Sequence, residues 1–228
     1  MIQIKSEVFN EDCMIGMARY PDKFFDLAIV DPPYGIGVDG QRIGTSSHGG
    51  RKAHVFKGWD KEIPDEQYFK ELFRVSKDQI IWGGNYFTKH LPGSMGWIFW
   101  DKGQRIRNSD GELAFTSFDR ALRVAEYNRC ELRREGTTIH PTQKPIVLYK
   151  WILTNYCERG IGIATRKILD THMGSQSSRI AAFNMGFDYV GFELDKEYFE
   201  AGNKRFKEQT AQTQLFDDPD LYTSGPEY

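Results

Sequence analysis

Short apolar runs alternate along this chain with longer stretches whose apolar positions recur at helical spacing. Phe25–Val30 is almost continuously apolar and stops at Asp31-Pro32-Pro33. That pattern predicts a buried strand ending at a rigid turn. Ser6–Phe9, Gln79–Trp82, Trp97–Trp100, Lys167–Asp170 and Tyr189–Glu193 read as further short strands, and Glu112–Arg123 as a strand or hairpin. Tyr68, Leu72 and Val75 share one face of a helix over Pro64–Ser76, and Val147, Leu148, Trp151 and Ile152 share one over Lys144–Glu158. Ser177–Met185 and Asp195–Lys207 also read as helices, and Asp12–Tyr20 as a helical turn. Strand–helix alternation predicts an α/β protein with a doubly wound, mostly parallel sheet and helices on both faces. One domain over residues 1–209 accounts for the pattern. Gly35–Lys61 is polar and rich in Gly, Ser and His, and so reads as a long functional loop. The acidic segment 210–228 is expected to be a poorly ordered tail.

Composition changes this picture in three places. The apolar runs fall short of the roughly 18 residues a bilayer span needs, and no signal-peptide pattern opens the chain, so a cytoplasmic protein is expected. Cys13, Cys130 and Cys157 are scattered and read as reduced thiols, without a zinc knuckle. The 30 Lys and Arg face 32 Asp and Glu. Five of those acids lie between Glu208 and Tyr228, where there is no Lys or Arg, and the rest of the chain is mildly basic. Positive charge gathers in the Gly35–Lys61 loop (Arg42, Arg51, Lys52, Lys57, Lys61) and between Lys102 and Arg134. Loops at about 35–61 and 102–135 are therefore expected to contact the phosphates of double-stranded DNA.

Three motifs carry the chemistry. Asp170-Thr171-His172-Met173-Gly174-Ser175-Gln176-Ser177-Ser178 follows a strand and opens a helix. Gly174 permits a tight turn beside a ligand, and the free N–H groups of the helix start suit a carboxylate. The acid that ends the next strand, Glu193, is placed to accept ribose hydroxyls. Asp31-Pro32-Pro33-Tyr34 forms a corner that lacks N–H donors at both prolines. It leaves carbonyl oxygens free, with Asp31 as an anionic acceptor and Tyr34 as an exposed π-face. His140-Pro141-Thr142-Gln143-Lys144-Pro145 precedes a helix; Thr142 is a plausible N-cap, and Lys144 can neutralise a carboxylate.

Together these motifs resemble the amino-methyltransferases that act on adenine N6 or cytosine N4 of DNA. Asp31–Tyr34, His140–Pro145 and Asp170–Ser178 occur in that order, which looks like the family's beta group, a circular permutation. The resemblance covers roughly Asn10 to Lys207. It implies a Rossmann-like methyltransferase fold and S-adenosylmethionine as cofactor. It also implies cofactor-binding roles for Asp12, Asp31, Thr142, Lys144, Asp170, Gly174, Ser175, Ser177 and Glu193, and catalytic roles for Asp31, Pro32, Pro33 and Tyr34. The cofactor loop departs from the family's D-P-F-x-G-S-G pattern at Thr171, His172 and Gln176. Either the loop changes shape or Gln176 meets the cofactor.

What the resemblance implies for activity is methylation of the N6 amino group of a flipped-out adenine, without a metal, in a restriction–modification setting. Asp31, where cytosine-N4 enzymes more often carry Ser, favours adenine. A cytosine-N4 enzyme, a methyltransferase of RNA or protein amides, and an inactive DNA-binding homologue are the alternatives. Homodimerisation is implied as plausible, and Gln212–Phe216 resembles the peptide with which replication proteins dock on the bacterial sliding clamp.

Overall fold

A computed structural model describes residues 4–38, 57–103, 109–128, 130–157 and 166–216. The strands are β1 (Ser6–Phe9), β2 (Phe25–Val30), β3 (Ser76–Trp82), β4 (Trp97–Asp101), β5 (Gly111–Thr116), β6 (Arg123–Glu126), β7 (Lys167–Asp170) and β8 (Asp188–Phe192). The helices are α1 (Cys13–Met17), α2 (Glu66–Val75), α3 (Cys130–Arg134), α4 (Ile146–Tyr156), α5 (Ser177–Asn184) and α6 (Lys196–Phe216). Among the described residues the strands form one sheet in the order β1-β8-β7-β2-β3-β5-β4-β6. The five strands from β1 to β3 are parallel, and β5 is antiparallel to both β3 and β4. This is the Rossmann-like α/β fold that the alternation predicts.

The strand pattern explains the two-sided core. Successive side chains of a strand point to opposite faces. Leu27 and Ile29 of β2 join Leu148 and Ile152 of α4 and Ile180 of α5 on one face. Ala28 and Val30 join Phe69 and Leu72 of α2 on the other. A central parallel strand buried on both faces is a nearly continuous apolar run, interrupted in β2 at Asp26 near its start. Helix α2 begins where Asp65 accepts the Tyr68 N–H at 3.0 Å, and it buries Tyr68, Phe69, Leu72 and Val75. Burying each such side chain stabilises the fold by about 1.5–3 kcal/mol.

Three elements differ from expectation. Glu112–Arg123, expected as a strand or hairpin, is a strand in its first half (β5) and not a hairpin: β5 pairs with β3 and β4, β6 pairs in parallel with β4, and β4 lies between them. Thr142 does not cap α4. Its hydroxyl and N–H face His140 Nδ1, and the helix-start N–H of Ile146 is taken by Glu135 from outside the motif, at 2.5 Å. Helix α6 runs on past Lys207 to Phe216, because no Pro or Gly interrupts 207–216. The segment expected to be poorly ordered from 210 is therefore helical as far as Phe216, and 217–228 lie outside the described residues. No described helix is long and apolar enough to cross a membrane.

Candidate active site

The sheet has a switch point between β7 and β2. These neighbours pair in parallel through Leu27 with Ile168 and Ala28 with Leu169. From β2 the chain crosses through α2 to β3 on one side, and from β7 it crosses through α5 to β8 on the other. Diverging connections open a crevice at the carboxyl ends of such strands. Asp31 and Asp170 stand at those ends. A cavity of about 590 Å³ fills the crevice, bordered by Asp12, Asp31, Thr142, Lys144, Gly174 and Glu193. Pro33 and Ser175 also reach it, whereas Pro32, Tyr34, Asp170 and Ser177 are not among its walls. Residues far apart in sequence thus converge on one site.

Asp31 is held by two donors. The Tyr34 hydroxyl donates to Oδ1 and the Lys144 ammonium to Oδ2, each at 2.5 Å. Burial pushes the Asp31 carboxyl above its usual range, against the opposing charge of Lys144. Lys144 is buried, and its ammonium remains charged because Asp31 and Glu112 (at 3.2 Å) outweigh the cost of burial. The Tyr34 ring is less exposed than expected. It stacks on Tyr86, with centroids 5.0 Å apart and planes 14° apart, and meets Phe87 edge-on. The αL residue Gly83 lies against the ring, and a Cβ there would meet it at 2.2 Å.

The cofactor-type loop resolves the doubt about Gln176. This residue takes the left-handed conformation (φ 60°, ψ 26°), one that a glycine adopts without steric cost. Its buried side chain turns away from the cavity, with Nε2 donating to the Phe199 carbonyl and Oε1 accepting from Arg179. Gly174 (φ +47°) donates its N–H to Glu193 Oε2 at 2.8 Å, and Asp195 N–H donates to Oε1. Burial raises the Glu193 carboxyl. Asp170 braces the loop from behind, accepting from Ser178 Oγ at 2.5 Å and from His172 N–H at 3.0 Å. Ser177 faces Ser175 and Arg205. Arg205 also donates to the Ser175 carbonyl and pairs with Glu135, tying α6 to this loop. The sequence motifs gave no sign of Glu135 or Arg205, whose contacts depend on where α3 and α6 pack.

Asp60 was also missed. Its buried carboxylate accepts the N–H groups of Tyr34, Gly35 and Val38, all within 2.8 Å. Lys57 and Trp59 border the cavity, with Lys57 bound to Asp195 and Glu197 and Trp59 stacked on His140. The basic residues expected at DNA divide accordingly. Arg42, Arg51, Lys52, Arg105, Arg107 and Arg129 lie outside the described residues. Lys57, Lys102 and Arg134 pair with acids of the chain, and Arg120 donates to the Asn155 carbonyl.

A doubly wound sheet with a cavity at its switch point, bordered by strand-end acids, suits a nucleotide cofactor. Residues 81–204 match the family model described as DNA methylase, and the chain belongs to that family. It is 21% identical over 88% of its length to the Type II methyltransferase M.HinfI of Haemophilus influenzae, covering 68% of that protein. It is 24% identical over 88% of its length to the putative methylase YubD of Escherichia coli (strain K12), covering 89% of it. The fold is similar to that of the M1.HpyAVI–SAM complex, with a TM-score of 0.55, 18% identity, and coverage of 88% of this chain and 99% of that one.

Proposed function

We propose that this DNA methylase transfers a methyl group from S-adenosylmethionine to the N6 amino group of a flipped-out adenine. The observation that carries the proposal is Asp31, a buried anionic acceptor at the end of β2, held by Tyr34 and Lys144 and facing the cavity. The cavity lies within the size range of small-molecule sites. Five acids (Glu11, Asp12, Asp31, Glu193 and Asp195) and three lysines (Lys57, Lys144 and Lys196) border it, and a lining with both signs of charge suits a cofactor that carries a sulfonium, an amino acid group and ribose hydroxyls. Bound S-adenosylmethionine supplies an electrophilic methyl group on a sulfonium.

The chain's own residues supply acceptors and position. An adenine amine is a poor nucleophile because its lone pair is delocalised into the ring. Each Asp31 oxygen spends one lone pair on Tyr34 or Lys144 and keeps another for an amine N–H. A carbonyl of the Pro32–Pro33 corner takes the second N–H. Fixed acceptors of this kind localise the lone pair without a strong base. Asp31 then receives the proton that the methylated amine sheds. A base inside a duplex is beyond reach, so it must leave the stack, with the Tyr34 ring beside it. Asp12 and Glu193 hold the cofactor's polar groups, Thr142, Gly174 and Ser175 shape the wall, and Asp170 and Ser177 brace it.

The test is incubation with labelled cofactor and duplex DNA, digestion to nucleosides and identification of the product. N6-methyladenine is expected. N4-methylcytosine would move the target to cytosine, and an unlabelled digest would reduce the protein to a DNA-binding homologue. Two partners extend the proposal within a bacterial cytoplasm. A second copy of the chain would complete recognition of a short site, measured by sedimentation with DNA. The sliding clamp would bind Gln212–Phe216, and equal calorimetric signals from wild type and L215A/F216A would end that idea.

A further inference from the structure

Glu112 belongs to none of the sequence motifs. It stands on β5, yet its carboxylate bridges two lysines. Lys102 Nζ lies 2.5 Å from Oε1 and Lys144 Nζ 3.2 Å from Oε2. Lys144 continues the line to Asp31 Oδ2. Charges therefore alternate along Lys102, Glu112, Lys144 and Asp31. Asp31 alone would neutralise Lys144, so the second carboxylate has another consequence. A lysine facing only Asp31 would draw on that carboxylate with its whole charge and weaken it as an acceptor. Glu112 divides the pull and fixes the direction of the ammonium.

We propose that Glu112 is a positioning residue for methyl transfer, acting through Lys144 so that Asp31 stays aimed at the amine and keeps its strength as an acceptor. The inference rests on the reading of Asp31 as the amine's acceptor. The groups that bear on Asp31 come from several elements. Tyr34 lies on its own turn, Lys144 leads into α4, and Glu112 comes from β5. Asp170 of β7, Tyr149 of α4 and Tyr68 of α2 complete the set. Lys144 is the cation with the largest effect on Asp31. Glu112 and burial raise the proton affinity of Asp31 and Lys144 lowers it, so loss of the Glu112 charge leaves only burial to oppose the lysine.

The test is single-turnover methylation against pH for wild type, Glu112→Gln, Glu112→Asp and Asp31→Asn, with cofactor affinity measured on each preparation. Glu112→Gln should slow transfer at least about tenfold and move the acidic limb down by about one pH unit, at nearly unchanged cofactor affinity. Glu112→Asp keeps the charge and should keep the limb near wild type while slowing transfer less; it also serves if the Gln variant does not fold. An unmoved limb in Glu112→Gln, at any rate, makes the residue structural and overturns the inference, as does a limb equally displaced in Glu112→Asp. Persistent transfer by Asp31→Asn would instead overturn the reading beneath it.

Discussion

Asp60 accepts the backbone N–H of Tyr34 at 2.7 Å across a separation of 26 residues. The same oxygen takes Gly35 N–H, and the other takes Val38 N–H. The exit of the turn after β2 is thus fixed by a side chain that does not border the cavity. Asp60→Asn preserves size but replaces an accepting oxygen with a donor. It should destabilise the fold by about 1–3 kcal/mol and slow transfer, because Tyr34 loses its fixed backbone, while cofactor affinity holds. Urea unfolding and single-turnover rates measure both. A wild-type rate would show that Tyr34 does not depend on Asp60.

Gln176 stores strain and repays it elsewhere. A non-glycine αL residue costs about 1–2 kcal/mol, and the Gln176 side chain offsets this by bonding Arg179 and Phe199. Gln176→Gly should relieve the strain yet leave the buried Arg179 short of an acceptor, for a net loss of about 1 kcal/mol. Cofactor affinity should not change. A Cβ at Gly202 would meet the Gln176 side chain at 2.7 Å, so Gly202→Ala should be destabilising alone and nearly neutral in the Gln176→Gly background. Additive losses in that double-mutant cycle would refute the contact.

Local pattern made much of this molecule legible. The buried strands β2 and β7 are apolar runs that end at motif residues, so these two strands and the acids at their ends could be read from sequence, whereas their adjacency in the sheet comes from tertiary pairing. The placement of β5 and β6 could not be read, because β4 separates them through contacts that no local pattern encodes. Glu112, Asp60, Glu135 and Arg205 escaped for the same reason: each acts on a motif from a distant element. The exposed face expected of Tyr34 was lost to Tyr86, which lies on a short 3-10 turn that carries no strong sequence signal.

Two neighbouring groups should make stability depend on pH in opposite senses. Burial raises Asp170 to about 7 and lowers His172 to about 4. From the carboxylate's unfolded value near 3.8 up to about 7, the folded Asp170 holds a proton that the unfolded chain has lost, so its contribution falls as pH rises. From about 4 to 6.5 the unfolded His172 holds a proton that the folded one lacks, so its contribution is lost as pH falls. The slopes oppose each other between about 4 and 6.5. Asp170→Asn should unmask a rise of up to about 1.4 kcal/mol per pH unit there, and His172→Phe a comparable fall. Unfolding free energies at several pH values check this, and parallel profiles for the two variants would contradict it.

Lys57 closes the cavity by a polar clasp. Its ammonium lies 2.7 Å from Asp195 and 2.8 Å from Glu197, over the Tyr198 ring at 4.3 Å. Trp59, two residues on, stacks on His140, which meets the same Tyr198 edge-on at 4.4 Å. Lys57 and Trp59 thereby pin their segment to the start of α6, and both sides border the cavity. Partly exposed pairs are worth about 1 kcal/mol or less, so the clasp can open. Lys57→Met should speed cofactor release and weaken its binding about three- to tenfold, and the remaining affinity should depend less on salt. Stopped-flow release at two ionic strengths measures both effects. Release as slow as in wild type would mean that the aromatic stack holds the wall without the lysine.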